Sequence, residues 1–243
     1  MSESQDQLPG SDGLGNNYRD VLAALGRGIA GAVPVAGGML AEIVGAVIPG
    51  QRADRITAYL RALSERVDQM DREIKENLGE HAEKIDLIEE GGYQAARATT
   101  QERIGMIVEA VTRGLSASET DVVRRKRLLV LLGELDEDEV ALLNAYGQSY
   151  GSREGNPFAA IDRPRSPTLS SGQDELDRHE LYQSGQDHLI RLKLLRKNFS
   201  SVKRGELPEF DRSTGEFKHR VEVSPLGRLL LKEVGMPSPF DQE

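Results

Sequence analysis

The chain has 243 residues, of which 40 are acidic and 31 basic, giving a net charge of −9. It has no cysteine, which excludes disulfides, thiolate metal ligands and thiol nucleophiles. The acidic excess argues against a protein that coats nucleic acids non-specifically. Tryptophan is absent and aromatic residues make up 5 % of the chain, so we expect an aliphatic core of the kind that helices build.

Residues 1–16 are polar and rich in glycine and serine, which is typical of a disordered tail. This acidic start differs from the basic start of a secretory signal, so we expect a cytoplasmic protein. It would lie at the inner membrane only if the next segment associates with lipid.

An apolar, glycine-rich segment runs from Gly28 to Pro49 and contains one charge, Glu42. Pro34 and the glycines that follow it predict a hairpin of two short helices. Two alternatives stay open, because such a hairpin can form the buried centre of a helical bundle or insert into a membrane. The predicted membrane or partner contacts are its large apolar residues: Ile29, Val33, Val35, Met39, Leu40, Ile43, Val44, Val47 and Ile48.

Apolar residues then recur at alternating intervals of three and four: Ile56, Leu60, Leu63, Val67, Met70, Ile74 and Leu78. This heptad seam predicts a long amphipathic helix. Its partner is either an antiparallel helix of the same chain or, in a self-associating protein, a second chain. Together, the apolar hairpin and this helix indicate that residues 17–115 form a helical bundle.

Further helices are predicted at His81–Ala98, Gln101–Leu115, Ser118–Leu135 and Asp136–Tyr146. In the first of them, Ile85, Ile88 and Tyr93 are expected to face inward, with Gly91-Gly92 as a weak point. The motifs Thr99-x-x-Glu102, Ser118-x-x-Asp121 and Asp136-x-x-Glu139 are the expected helix starts. Residues 116–150 are thus connecting helices, and the basic run Arg124–Arg127 is either a solvated face or an anion contact.

The composition changes between Gly151 and Gln173, where glycine, serine, arginine and three prolines replace the apolar residues. A loop of this length is unusual inside a compact domain, so it indicates a boundary or an insertion. A separate module is expected at 174–235, followed by a tail at 236–243.

The module should contain two helices, Glu175–Gln183 and Gln186–Asn198, separated by a turn at Ser184-Gly185. Strands are predicted at Ser200–Arg204 and Phe217–Val223. A closing helix at Leu226–Val234 should start at Ser224-Pro225 and end at Gly235.

The segments His188–Asn198, Phe217–Val223 and Ser224–Leu231 carry a resemblance to winged helix-turn-helix domains. The resemblance implies that the helix Gln186–Asn198 enters the major groove of DNA while the wing touches phosphate. From His188 to Arg220 there are nine basic and four acidic residues, which fits this implication. The alternative is that these charges only keep the module soluble. The residues predicted to contact nucleic acid are Arg191, Lys193, Arg196, Lys197, Lys203, Arg204, Lys218 and Arg220.

The overall order of a glycine-rich apolar start, charged helices and a winged-helix end resembles bacterial abortive-infection proteins of the Abi-alpha type. That resemblance implies a non-enzymatic effector or sensor that acts against phage.

No pattern indicates catalysis. The four histidines lack metal-ligand spacing, and the acidic run Glu134–Glu139 lacks the spacing of a calcium loop. The GxGxxG of Gly26–Gly31 follows a helical pattern instead of a strand, so no dinucleotide cofactor is expected. We therefore predict no catalytic residues, no metal, no cofactor and no small-molecule substrate.

The sequence thus predicts a mainly α protein, with an N-terminal helical bundle and a C-terminal winged-helix-like α+β module. Two functions remain as alternatives. One is a non-enzymatic effector that contacts a membrane or a protein partner, or self-associates through Ile56–Leu78. The other is a DNA-binding transcriptional regulator.

Overall fold

A computed structural model describes residues 50–70, 81–149, 155–161, 163–168, 170–199, 205–212 and 215–241. The predicted apolar hairpin, the seam residues Ile74 and Leu78, and the predicted strand Ser200–Arg204 lie outside these ranges. The described part is mainly helical, with a small β region near the C-terminus, as expected.

The chain divides into two compact units, residues 1–130 and 131–243. The N-terminal unit contains helices α1 (Gln51–Asp68), α2 (Ala82–Ala95), α3 (Gln101–Leu115) and most of α4 (Glu119–Gly133). The C-terminal unit contains α5 (Glu137–Ser149), α6 (Gln173–Arg191) and α7 (Pro225–Glu233). Its strands are β1 (Leu195–Phe199), β2 (Phe210–Asp211), β3 (Glu216–Phe217) and β4 (His219–Val223), and a 3-10 turn follows at Pro239–Asp241.

The core of the N-terminal unit forms around the apolar face of α1. Ile56, Leu60 and Leu63 are completely buried, and α1 packs on α2 and α3. The described part of the heptad seam is therefore used within the chain. Tyr59, which the seam does not include, is also buried and donates its hydroxyl to the Ile88 carbonyl at 3.0 Å.

Helix α2 corrects two expectations about its apolar face. Leu87 is completely buried, whereas Tyr93 is exposed. Gly91 is part of the helix, and a Cβ at this position would collide with the Tyr59 hydroxyl and with Val111. The glycine is therefore a point of close approach between helices, and the weak point expected there is wrong.

Helix α3 has the predicted bounds, and Ile104, Ile107, Val108 and Val111 on its apolar face are buried. Its cap lies one residue later than expected, since Thr100 Oγ1 accepts from the Arg103 N–H at 3.1 Å. Two adjacent threonines offer the same capping group, so sequence spacing alone does not choose between them.

Helix α4 ends at Gly133, two residues before the predicted end. Its basic run forms ion pairs with neighbouring carboxylates: Arg124 contacts Asp121 at 2.9 Å, and Lys126 pairs with Asp86 of α2. Arg124 and Arg127 are exposed, whereas Arg125 and Lys126 are half-buried, so only the first and last residues of the run lie on a fully solvated face.

Helix α5 starts with the predicted capping box. The Glu139 N–H donates to Asp136 Oδ1 at 2.8 Å, and the Asp136 N–H donates to Glu139 Oε2 at 3.1 Å. The reciprocal bonds satisfy two amides that would otherwise have no partner at the helix start.

Helix α6 contradicts the predicted helix-turn-helix. It runs through Ser184-Gly185 without a break and ends at Arg191, so residues 195–198, predicted as helix, are strand β1. The helix ends because Lys193 adopts a left-handed conformation, with φ of 61°. Its N–H donates to the Ile190 carbonyl and that of Leu194 to the Leu189 carbonyl, both at 2.9 Å. Glycine normally takes this position, so a lysine gave no sequence signal of the stop.

The β region consists of two short antiparallel ladders that use consecutive parts of one chain segment. Phe199 pairs with His219 at the end of the β1–β4 ladder. The adjacent Lys218 N–H donates to the Glu209 carbonyl at 2.7 Å, next to the β2–β3 pair of Phe210 and Phe217. The partners of residues 218 and 219 are therefore ten positions apart, with residues 200–208 between them.

Helix α7 agrees with its prediction to within one residue. Pro225 is its first residue, Ser224 is the N-cap, and Gly235 follows with φ of 81°. Gly227 lies in the first turn, where a Cβ would collide with the Leu194 carbonyl oxygen and touch Val223.

Two glycine-to-alanine changes in the C-terminal unit should have opposite effects. Gly227→Ala forces a methyl group against backbone and should lower the free energy of unfolding by about 1–3 kcal/mol. Gly185→Ala has ordinary van der Waals space beside Glu139 and should raise it by about 0.5–1 kcal/mol, the difference in helix propensity. Urea denaturation followed by circular dichroism measures both. A destabilised Gly185→Ala protein would contradict a continuous α6.

Candidate functional site

The C-terminal unit is organised around one buried serine. Ser224 Oγ accepts from the Gly227 N–H at 2.9 Å and donates to the Lys193 carbonyl at 2.6 Å. Its N–H donates to the Leu194 carbonyl at 2.9 Å. We call Lys193, Leu194, Ser224 and Gly227 the α6–α7 junction. It fixes the end of one helix, the start of the other and the base of the β1–β4 hairpin.

Ser224→Ala should lower the free energy of unfolding by about 2 kcal/mol, because it removes a helix cap and a buried hydrogen bond. Ser184→Ala, at an exposed position in the middle of α6, is the matched control and should change it by less than about 0.5 kcal/mol. Urea denaturation of the full chain compares the two, and equal effects would remove the special role of Ser224.

The hairpin exposes aromatic side chains away from the junction. At its base Leu195 and Val223 are opposite each other and buried. Further out, the Phe199 and His219 rings lie 5.8 Å apart, and the Phe210 and Phe217 rings meet edge to face at 5.6 Å. We define the hairpin patch as the exposed apolar residues of this region: Phe199, Leu207, Phe210 and Phe217, whose exposed fractions are 46, 80, 51 and 39 %.

Glu216 connects the two ladders. Its carboxylate accepts from Lys197 Nζ of β1 at 2.6 Å and lies 3.6 Å from His219 Nδ1 of β4. The hydrogen bond from Lys197 lowers the pKa of Glu216 below its usual value. The tip of the hairpin is therefore held to its base by charged groups, while the phenylalanines remain at the surface.

The residues predicted to contact nucleic acid fall into three groups. Arg196, Lys197 and Lys218 are paired with Glu222, Glu216 and Glu209, at 3.5, 2.6 and 2.6 Å. Arg191, Lys193 and Arg220 are exposed and have no ion pair with a described carboxylate. Lys203 and Arg204 lie outside the described residues. Half of the described set is thus already neutralised by the protein.

A polar cluster lies between α5 and α6. His188 Nδ1 is 2.6 Å from Glu139 Oε1, and the other oxygen of the same carboxylate belongs to the α5 capping box. Nearby, Gln186 Nε2 donates to the Tyr146 hydroxyl at 2.7 Å. These contacts join the two helices, and they leave Glu139 no carboxylate oxygen without a partner. We read the cluster as structural.

Tyr146 is the described group with the clearest change in acidity. Burial, and then the neighbouring Tyr182 hydroxyl, raise the pKa of Tyr146 to about 12, while the positive charge of Arg163 and the bond from Gln186 act in the opposite direction. The Phe158 ring packs against it edge to face at 5.0 Å.

The raised pKa makes stability depend on alkaline pH. The folded protein holds the Tyr146 proton more tightly than the unfolded chain, so this contribution is complete below pH 10 and is lost between about 10 and 12. Tyr146→Phe should flatten this part of the stability curve. Urea midpoints at several alkaline pH values test it, and an unchanged slope in the variant would contradict the assignment. Tyr93→Phe, at an exposed tyrosine of the other unit, is the control.

Metal-ligand clusters and membrane-crossing helices are both absent from the described part of the chain. Its histidines and carboxylates form no cluster of three or more suited to a metal ion. None of its helices combines the length and apolar character that crossing a bilayer requires. The predicted membrane or partner contacts of residues 29–48 all lie outside the described ranges.

Sequence reasoning missed the hairpin patch and the Glu139–His188 contact. Phe199, Phe210 and Phe217 stand among charged residues, and their isolation was the available signal of exposure. The contact between Glu139 and His188 joins residues 49 positions apart, which no local pattern reports.

Comparison of the chain with protein-family models, with curated proteins and with solved structures found no match.

Proposed function

We propose that this protein is a non-enzymatic interaction protein whose C-terminal hairpin docks on a protein partner. The observation that supports the proposal is the hairpin patch. Three of the five phenylalanines of the chain are exposed on this one hairpin, although phenylalanine is among the residues most often buried. Phenylalanine is one of the aromatic residues that are enriched in protein–protein interfaces.

The charges around the patch favour a protein surface as the partner. Lys197, Lys218 and Arg196 are each paired with a glutamate of the hairpin region. A phosphate backbone attracts unpaired cations, whereas an interface with a protein usually has an apolar centre and a polar rim. The hairpin, with its phenylalanines and ion pairs, has the second composition.

In the setting that the sequence resemblance implies, the protein is a cytoplasmic effector or sensor of bacterial phage defence. Membrane association at the inner membrane would then depend on residues 28–49, and self-association on the Ile56–Leu78 helix. Since Ile56, Leu60 and Leu63 are buried within the N-terminal unit, the hairpin patch is the better-supported contact surface.

Site-specific photo-crosslinking in cells tests the proposal. Benzoylphenylalanine at Phe210 or Phe217 should crosslink to one defined protein. The same probe at Leu229 should not, although Leu229 is exposed to a similar extent, 49 % against 51 % for Phe210. Phe210→Ser with Phe217→Ser should abolish capture of that partner while circular dichroism stays unchanged.

Three results would refute docking through the patch. They are an equal yield from Leu229, absence of any crosslink from positions 210 and 217, and unchanged capture by the double serine variant. A crosslinked product that contains two copies of this chain would identify self-association instead.

A second candidate function is DNA binding through the end of α6. Helix α6 leads into the hairpin, and its last residues, 186–191, are the first part of the helix that was predicted to enter the major groove. Arg191, Lys193 and Arg220 are exposed without a described carboxylate partner, so they are suited to phosphate contact.

For this candidate, a labelled 20-base-pair duplex is titrated at several salt concentrations. Arg191→Glu should weaken binding at least fivefold and reduce the salt dependence. Lys218→Glu should change the affinity less, because Glu209 already neutralises Lys218. No binding at 20 mM salt would reject DNA as a ligand.

A further inference from the structure

A separate feature of the C-terminal unit is an arginine-lined cavity of about 420 Å³ between the loop that precedes α6 and the first turns of that helix. Its lining includes Arg163 and Arg165 from the loop and Arg178 from the helix, with the hydroxyls of Ser166, Thr168 and Ser171. The volume lies within the range of about 300–1,000 Å³ that small-molecule sites occupy.

The charge of the cavity is strongly positive for this chain. Three guanidinium groups line it, against one carboxylate, Glu175, while the whole protein has a net charge of −9. None of the three arginines forms an ion pair with a described carboxylate. Arg178 Nε donates a hydrogen bond to the Asp174 carbonyl at 3.3 Å. All three arginines are exposed, so their guanidinium groups are open to an anion that binds in the cavity.

The loop gives the cavity a defined set of hydroxyl groups. The Thr168 N–H donates to Ser171 Oγ at 3.0 Å, and the Ser171 N–H donates back to the Thr168 carbonyl at 3.0 Å. Thr168 Oγ1 also lies 3.0 Å from Ser170 Oγ. Hydroxyls held in this way beside arginine forks match the several acceptor oxygens of a phosphate group.

Glu175 adds a second requirement. A carboxylate beside the arginines repels a bare phosphate, but it accepts hydrogen bonds from hydroxyl or amino groups on the same ligand. We propose that this cavity binds a small phosphorylated molecule that carries such donors, with the nucleotides as the chemical class that fits. The arginines take the phosphate, and Glu175 takes a hydroxyl or amino group.

Isothermal titration calorimetry on the full-length protein tests the site with inorganic phosphate, pyrophosphate, ATP and a 20-base-pair duplex. ATP should bind more tightly than phosphate. Arg163→Gln and Arg178→Gln should each weaken ATP about tenfold, the usual effect of losing one charge-assisted contact. Arg212→Gln, at an exposed arginine outside the cavity, should leave the affinity within about twofold.

The decisive variant is Glu175→Gln, because the proposal predicts that it raises an affinity instead of lowering it. Without the carboxylate, inorganic phosphate should bind several times more tightly, and the preference for ATP over phosphate should shrink. A misfolded variant cannot produce this result. The proposal is overturned if no small probe binds, if Arg212→Gln weakens ATP as much as Arg178→Gln, or if Glu175→Gln leaves phosphate affinity unchanged. If only the duplex binds, the ligand of the cavity is nucleic acid and not a small molecule.

The double variant Phe210→Ser, Phe217→Ser should bind ATP with unchanged affinity. This result would show that the cavity and the docking surface are separate sites.

Discussion

The C-terminal unit depends on one hydroxyl group that makes two bonds. Ser224 Oγ accepts from the Gly227 N–H in the first turn of α7 and donates to the carbonyl of Lys193, just after the end of α6. Because Lys193 has already turned the chain into the left-handed region, the serine meets a carbonyl that would otherwise lack a partner. Gly227 completes the contact, since it alone lets α7 approach the Leu194 carbonyl. These four residues hold the base of the β1–β4 hairpin against the ends of α6 and α7.

From this junction outward, the hairpin separates its apolar and charged groups. Leu195 and Val223 belong to the core, whereas the ion pairs of Arg196 and Lys197 neutralise the strands beyond them. The exposed phenylalanines then form an apolar surface on the hairpin, distinct from these neutralised charges. The three arginines that line the cavity beside α6 follow the opposite pattern, since none of them forms an ion pair with a described carboxylate. One unit thus offers two surfaces of different chemistry, one suited to an apolar partner and one to an anion.

The sequence predicted features that depend on neighbouring residues. The bounds of α3, the capping box of α5 and the start and stop of α7 each rest on a spacing of three or four residues. The single helix α6 was missed because Ser184-Gly185 is a turn signal in sequence, whereas both residues lie within the helix in the structure. The stop at Lys193 was missed because a lysine occupied a glycine position.

The candidate sites were less predictable than the fold. The basic residues were found by counting, but counting does not show that Glu209, Glu216 and Glu222 lie against three of them. The arginine-lined cavity lies between the start of α6 and a loop that was predicted to be a boundary or an insertion, and neither part alone indicated a ligand. Contacts between distant segments, such as that of Glu139 with His188, require the folded chain.

The β hairpin has an unusual construction, because neighbouring residues 218 and 219 pair with residues that are ten positions apart. Each ladder is therefore anchored on its own, and the stretch between Phe199 and Glu209 can change in length without shifting either register. The entropic cost of closing a longer loop grows only slowly with length. Insertions and deletions at this one place would therefore reduce the stability of the protein only slightly. The outer surface of the hairpin could vary between related proteins while the α6–α7 junction stayed the same.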